Sequence, residues 1–258
     1  MSTVSSARAL AVVERWGGFF SLCGDTSRAV WRRPFQRAEF LQQVVFIAGV
    51  SIVPVVFVTI PFTIVVQFFL GQLLVEIGAV DLSGAGAGFG IIRELGPFSA
   101  VLVVTGGGAT AVCADLGTRT IREEIDALKV LGVDPVHRLV VPRVLAFMVV
   151  SVGLFGVVAV VGLVGTFLFS TSALGASPGL FVANLALLTD YAAFVVSLVK
   201  AALFGLAAGL VSCYLGLTAR GGPKGVGDAV NQTVVFTLMV LVVINTAAST
   251  LFLQLSEG

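Results

Sequence analysis

The sequence predicts an all-α integral membrane protein, and two features of its composition lead to this fold class. Of its 258 residues, 57% are hydrophobic and only 11% are charged, and the mean hydropathy is +1.07. A soluble domain carries about 25% charged residues, so this chain could not cover a water-facing surface. The hydrophobic residues are gathered into five long runs. The same composition excludes a disordered chain, a nucleic-acid-binding protein and a disulfide-stabilised secreted domain.

Residues 1–43 predict a basic cytoplasmic segment with an amphipathic helix lying in the membrane interface. Trp16 and Trp31 occur here among six arginines: Arg8, Arg15, Arg28, Arg32, Arg33 and Arg37. Basic residues interspersed with Trp, Phe and Leu are typical of an interfacial helix. No uninterrupted apolar segment with a cleavage site follows, so we do not expect a signal peptide. A frayed basic tail is the alternative interpretation.

Residues 44–258 predict one domain with five membrane-spanning helices. About 20 apolar residues cross the hydrocarbon core, and each run must be helical there to satisfy its backbone hydrogen bonds. We expect a kink or tilt in the first span, which contains Pro54 and Pro61, and the least regular helix in the second, which contains Gly96-Pro97 and Gly106-Gly107-Gly108. The predicted spans are residues 44–74, 91–116, 144–170, 192–217 and 234–253.

The loops alternate in charge and predict the orientation of the chain. The N-terminal region and the loops 117–143 and 218–230 carry 13 of the 15 Lys and Arg residues. The loops 75–90 and 171–190 and the C-terminal tail carry none. Because positive loops stay in the cytoplasm, we expect a cytoplasmic N-terminus and a C-terminus on the outer side.

A short amphipathic helix is predicted over residues 120–131, between the second and third spans. Thr120 and Glu123 have the spacing of a capping box, and Gly132 and Pro135 form a stop signal. An apolar stripe comprises Ile121, Ile125, Leu128 and Leu131, and the opposite side carries Arg122, Glu123, Asp126 and Lys129. Such a helix suits a groove on a soluble partner, and a helix floating at the lipid interface fits the pattern equally well.

Several polar or small residues inside the predicted spans are candidate functional or packing positions. Arg93, with Glu94 beside it, and Lys200 are charged, so we expect them to face the protein interior, a cavity or a counter-charge. Snorkelling of Arg93 and Lys200 to the interface is the alternative. Ala201, Gly205 and Gly209 follow one another at four-residue spacing, which predicts close helix packing in the fourth span.

The residues that most catalytic mechanisms need are missing from the sequence. His137 is the only histidine and lies in a loop, so we expect no histidine-based metal site. No phosphate-binding loop is present, and no serine-histidine-aspartate set can be assembled within the spans. The Asp, Glu and His chain of a proton-coupled pump is also missing. We therefore expect neither an enzyme nor a bound cofactor on this chain.

Four segments, in this order, resemble the MlaE/YrbE permease family over nearly the whole chain. They are Arg93-Glu-Leu-Gly-Pro97, Ala114-Asp-Leu-Gly-Thr118, the run from Glu123 to Pro135, and Leu139-Val-Val-Pro-Arg143. Gly221-Gly-Pro-Lys-Gly-Val-Gly227 resembles the family's last cytoplasmic loop. The form of the segment from Cys113 to Glu124 is most similar to the actinobacterial YrbE branch, which serves Mce lipid transporters.

The resemblance implies a permease subunit of an ABC-type transporter in the plasma membrane that imports fatty acids, sterols or other lipids. Its implied partners are a second YrbE-type permease (a paralogue), a cytoplasmic ATPase dimer that binds ATP and Mg²⁺, and MCE-domain proteins on the outer side. By this resemblance the helix around residues 120–131 is the coupling helix that enters the ATPase. Its coupling residues are Arg122, Glu123, Glu124, Asp126, Leu128 and Leu131.

Two positions depart from the family pattern. Gly107 stands where many members have an arginine, and Asn245 where relatives often carry an aspartate. Because both changes remove charge, the resemblance favours an acyl-chain or sterol cargo over recognition of a lipid head group. An ATP-independent channel or secondary transporter is an alternative function, which transport without an ATPase would reveal. A scaffold for partner proteins is another, and it predicts no enclosed lipid-sized cavity and no response to nucleotide.

Overall fold

In the computed structural model, which describes residues 2–32 and 35–257, every regular element is helical. The predicted all-α fold is therefore confirmed for this part of the chain. The α-helices are α1 (Ser2–Val30), α2 (Arg37–Glu76), α3 (Ser83–Gly88), α4 (Gly96–Val104), α5 (Thr110–Ile121), α6 (Glu124–Val130), α7 (Val141–Ala173), α8 (Pro178–Asn184), α9 (Tyr191–Leu217) and α10 (Gly222–Glu257).

Five helical stretches are long and apolar enough to cross a membrane, as predicted. They are Arg37–Glu76, Val80–Ile121, Val136–Ala173, Tyr191–Leu217 and Gly222–Leu251. Most extend beyond the predicted spans, because polar residues continue the helices past the apolar runs. Whether residues 1–43 lie in the membrane interface stays a prediction. Arg33 and Gly258 lie outside the described residues, as do the side chains of Arg8 and Arg15.

The second stretch is irregular at the two places where the sequence predicts it. Short π-helical segments occupy Phe89–Leu95, directly before Gly96-Pro97, and Thr105–Ala109, which contains the three consecutive glycines. A π-helical turn accommodates one extra residue within an α-helix, and such turns are frequent at functional sites. By contrast, α2 is assigned as one helix across Pro54 and Pro61, and the kink predicted there stays a prediction.

The core lies around α7, which packs against α2 on one side and α9 on the other. The small-residue positions of α9 face α7 at close range. Ala201 is fully buried, and a Cβ added to Gly205 would lie 2.5 Å from the backbone oxygen of Phe147. A Cβ on Gly209 would lie 3.1 Å from the Cα of Val144. Any larger side chain at these glycines would push the two helices apart.

The helix predicted over residues 120–131 is shorter, and its predicted capping box is wrong. Thr120 belongs to the last turn of α5, and its hydroxyl donates to the carbonyls of Leu116 and Gly216. The chain turns sharply at Glu123, which has φ of +59°, and α6 begins at Glu124 with no side-chain cap. The predicted stop is confirmed, since Gly132 has φ of +72° and its amide donates to the carbonyl of Lys129.

The segments predicted to be cytoplasmic lie at one end of the helix bundle. Arg32, just after α1, pairs with Asp134 at 3.1 Å, and Nε2 of His137 lies 3.2 Å from the carbonyl oxygen of Arg32. These contacts bring the N-terminal segment beside the loop that follows α6. We call this the basic end of the molecule. Which side of the membrane it faces stays a prediction.

Candidate functional site

The four polar residues predicted within the spans, Arg93, Glu94, Lys200 and Asn245, lie together. Lys200, on α9, is only 2% exposed. Its ammonium lies 3.2 Å from each carboxylate oxygen of Glu94 and 3.3 Å from the carbonyl oxygen of Arg93. Lys200 therefore faces the interior and a counter-charge, and the alternative that it snorkels to the interface is wrong for this residue.

The last span completes this cluster with two polar side chains from α10. Ser249 accepts a hydrogen bond from Lys200 at 3.0 Å and donates one to Glu94 at 3.0 Å. Asn245 donates to the other carboxylate oxygen of Glu94 at 3.3 Å. We call Arg93, Glu94, Lys200, Asn245 and Ser249 the polar cluster. Sequence reasoning missed Ser249, which lies one turn after Asn245 and so on the same face of α10.

The polar cluster is an unusual electrostatic feature for a membrane protein. A buried lysine is costly unless a partner compensates its charge, and Glu94 supplies that compensation here. The guanidinium carbon of Arg93 lies 5.1 Å from the ring centroid of Phe89, within cation–π distance. The carbonyl oxygen of Asn245 is buried and has no hydrogen-bond partner among the described residues. The cluster therefore keeps a hydrogen-bond acceptor that the described part of the chain does not use.

The polar cluster borders a cavity of only about 10 Å³. That volume holds about one water molecule, far less than a lipid. The side chain of Glu94 is nevertheless one-third exposed. A lipid-sized space beside the cluster would therefore need a wall from another molecule or another conformation of this chain.

A second ionic group, which sequence reasoning missed, lies at the basic end. Arg143 is fully buried in the first turn of α7, and it donates to Asp115 of α5 at 2.6 Å and to the carbonyl of Leu139 at 3.0 Å. Glu39 of α2 lies 3.8 Å away, and Arg119 also binds Asp115, at 3.1 Å. Asp115 and Arg143 each lie within one residue of the predicted ends of consecutive spans, and that position was the available signal.

Helix α6, between Asp115 and Arg143 in sequence, divides its side chains between the core and the surface. Ile125 is buried, and Leu128 packs against the same core. Leu131, the last residue of the predicted apolar stripe, is 76% exposed, and its neighbour Val130 is 88% exposed. Both lie where α6 ends and the chain turns. The remaining candidate coupling residues, Arg122, Glu123, Glu124 and Asp126, are all exposed.

Comparison with known proteins assigns a family to this arrangement. A sequence model of the family described as "Permease MlaE" matches residues 40–251. The chain belongs to the MlaE permease family. The resemblance in its sequence motifs is therefore confirmed. With its five apolar helices, the chain is a transmembrane ABC permease of that family.

Curated relatives of this MlaE-family chain match most of its length. It is 29% identical to a "Probable ABC transporter permease protein" of Synechocystis, over 98% of this chain and 97% of that protein. A protein of the same description from Rickettsia bellii is 28% identical over 96% and 95%. The protein TRIGALACTOSYLDIACYLGLYCEROL 1, chloroplastic, of Arabidopsis thaliana is 31% identical over 80% of this chain and 58% of its own length.

Proposed function

We propose that this permease is the membrane subunit of an ATP-driven lipid transporter. Its cargo contacts the polar cluster, and the ATPase that drives transport docks on α6. Family membership supports an ABC-type mechanism, and the relative named after a galactolipid supports a lipid cargo. The observation that carries the proposal is the exposed surface of α6 at the basic end. Catalysis is assigned to a separate ATPase, which would bind ATP and Mg²⁺, because the sequence contains no phosphate-binding loop.

The surface of α6 is suited to docking because it combines an anchored helix with exposed contacts. Ile125 fixes the helix to the core, so a force on α6 moves the spans rather than a flexible loop. Val130 and Leu131 are exposed side by side at its C-terminal end, and adjacent exposed apolar side chains with polar residues around them are typical of protein interaction sites. Glu124, which is exposed, and the Asp126–Lys129 ion pair at 2.8 Å supply a polar rim.

The remaining partners in the proposal follow from the family resemblance and from the small cavity at the polar cluster. A second YrbE-type permease, a paralogue of this chain, would supply the missing wall of a lipid-sized space. MCE-domain proteins on the outer side would deliver fatty acids, sterols or other lipids for import. The uncharged residues Gly107 and Asn245 favour a cargo recognised by its acyl chain or sterol body.

Purification of the tagged full chain from its host in mild detergent tests the assembly. Mass spectrometry of the co-purifying proteins and lipids is expected to find an ATPase, a second permease, MCE-domain proteins and a bound lipid. A stable complex without an ATPase would contradict the proposal and favour a channel or a scaffold.

Substitutions on α6 test the coupling surface. Glu124→Lys, Asp126→Lys and Leu131→Asp are expected to abolish both ATPase co-purification and lipid transport, while the chain still inserts and folds. Leu187→Asp is the matched control for the last variant, because Leu187 is also exposed but lies in the loop 171–190, outside the predicted spans. Undiminished ATPase binding in all three variants would remove α6 from the proposed interface.

A further inference from the structure

An apolar groove at the basic end is not used by the proposed transport mechanism. It has a volume of about 140 Å³ and lies between α1, α9 and α10. Its walls are Trp16 and Phe19 of α1, Val211, Tyr214 and Leu215 of α9, and Gln232, Phe236 and Val240 of α10. We call it the aromatic groove. It lies at the opposite end of α9 from Lys200, so it is separate from the polar cluster.

The aromatic rings of the groove join α1 to the two spans. Phe19 packs edge-to-face on Tyr214 with ring centroids 5.6 Å apart, and Trp16 meets Phe236 edge-to-face at 6.5 Å. Trp16 is nevertheless 47% exposed and Phe236 36%. An edge-to-face contact covers one face of only one of the two rings, so these partly exposed rings keep surface available to a further apolar group. The groove is therefore formed by packed walls and is not filled by any side chain that the structure describes.

Location and charge identify the occupant. Two walls of the groove are membrane-spanning helices, so its surroundings are lipid rather than water. Aromatic side chains at the ends of spans mark the level where acyl chains meet head groups. Tyr214 and Leu215 lie in the last turn of α9, and two exposed basic residues follow closely in the chain: Arg220 in the linker and Lys224 in the first turn of α10. Cationic side chains that directly follow one wall of an apolar groove match the phosphate of an anionic phospholipid, and the groove matches its acyl chain.

We propose that the aromatic groove binds one acyl chain of an anionic phospholipid from the leaflet at the basic end. The bound lipid fixes α1 against α9 and α10. This site is distinct from the transported cargo, and the inference does not depend on the proposed transport function. One basic residue at a membrane surface favours anionic lipid by about fivefold, which sets the selectivity expected at the groove.

The two tryptophans of the chain make this binding measurable. Trp31→Phe leaves Trp16, in the groove, as the single fluorescent reporter. The full-length variant is reconstituted into phosphatidylcholine vesicles that contain a small fraction of phosphatidylglycerol, with bromine atoms on the acyl chains of one lipid or the other. Brominated phosphatidylglycerol is expected to quench Trp16 about fivefold more effectively than the same fraction of brominated phosphatidylcholine, and the quenching is expected to saturate. The reciprocal Trp16→Phe variant reports from Trp31, which is exposed and is expected to show no such saturation.

A blocking variant separates a bound lipid from the surrounding bilayer. Val240→Phe, made in the Trp31→Phe background, fills the groove and is expected to remove the selective quenching. Val243→Phe is its control, because Val243 lies on the same helix, is exposed and does not line the groove. Equal, unsaturated quenching by both lipids would mean that only bulk bilayer lipid contacts Trp16. Absence of quenching would mean that protein fills the groove. Either result overturns the proposal.

Discussion

Replacement of Lys200 by methionine removes the buried cation of the polar cluster while keeping most of its side-chain volume. The carboxylate of Glu94 then loses its counter-charge and keeps only the hydrogen bonds from Asn245 and Ser249. Loss of one partner of a buried ion pair costs about 3–5 kcal/mol. Because Glu94 is one-third exposed, we expect a cost nearer about 2–3 kcal/mol, which reflects partial solvent screening.

The double variant Lys200→Met/Glu94→Gln decides whether this cost comes from the orphaned charge. Its unfolding free energy is expected to lie within about 1 kcal/mol of the wild-type value, because replacing both members of a buried ion pair by uncharged residues often changes stability little. Both variants are measured by denaturant titration of the full chain in detergent. Lys224→Met, at an exposed position, is the control and should have no effect. The reasoning would be refuted if Lys200→Met were as stable as this control, or if Lys200→Met/Glu94→Gln were as unstable as Lys200→Met alone.

Three further substitutions test packing, the second ionic group and the unused acceptor. Gly205→Ala is expected to cost about 1–3 kcal/mol because its Cβ would lie 2.5 Å from a backbone oxygen of α7, whereas Gly156→Ala, with no atom within 4 Å, is expected to be neutral or slightly stabilising in the same titration. Arg143→Met is expected to destabilise by about 2–3 kcal/mol, and adding Asp115→Asn should recover much of that loss; no recovery would show that the cost is one of packing. Asn245→Leu is expected to change the unfolding free energy by less than about 1 kcal/mol, because it removes one long hydrogen bond together with a buried oxygen that has no partner. A fall in lipid transport at unchanged stability would assign this amide to the cargo, and a large loss of stability would contradict the expectation.

The sequence was sufficient for the spans because hydrophobicity over 20 residues is an additive signal. It also identified Lys200 and Glu94 as unusual, because a charge within an apolar run is conspicuous. It could not pair them, since 106 residues separate them and their contact depends on how α9 packs against the second span. The same limit hid the contact between Asp115 and Arg143, which needs the register of α5 against α7.

The capping-box error at Thr120 has a different physical origin. A threonine three residues before a glutamate can cap a new helix only where the preceding chain is not already helical. Here α5 continues through Thr120, so its hydroxyl bonds to carbonyls in the helix instead. The helix-breaking position is Glu123, whose positive φ no sequence pattern in this segment indicates. Gly132 was predictable because glycine adopts a positive φ without strain.

The second membrane-spanning helix joins the proposed docking helix α6 to the polar cluster. Glu94 lies in its first π-helical segment, Asp115 lies near its end, and a second π-helical segment, Thr105–Ala109, lies between them. A π-helical turn marks one extra residue, and movement of that residue along a helix shifts the register of everything beyond it. Displacement of α6 could therefore reach Glu94 without disrupting the core around α7.

Gly106→Ala tests this route. The added Cβ would meet no atom within 4 Å, so it causes no clash, and alanine favours a regular α-helix over glycine by about 1 kcal/mol. We expect lipid transport to fall while the unfolding free energy is unchanged or higher, and normal transport in a stabilised variant would show that this π-helical segment has no part in coupling.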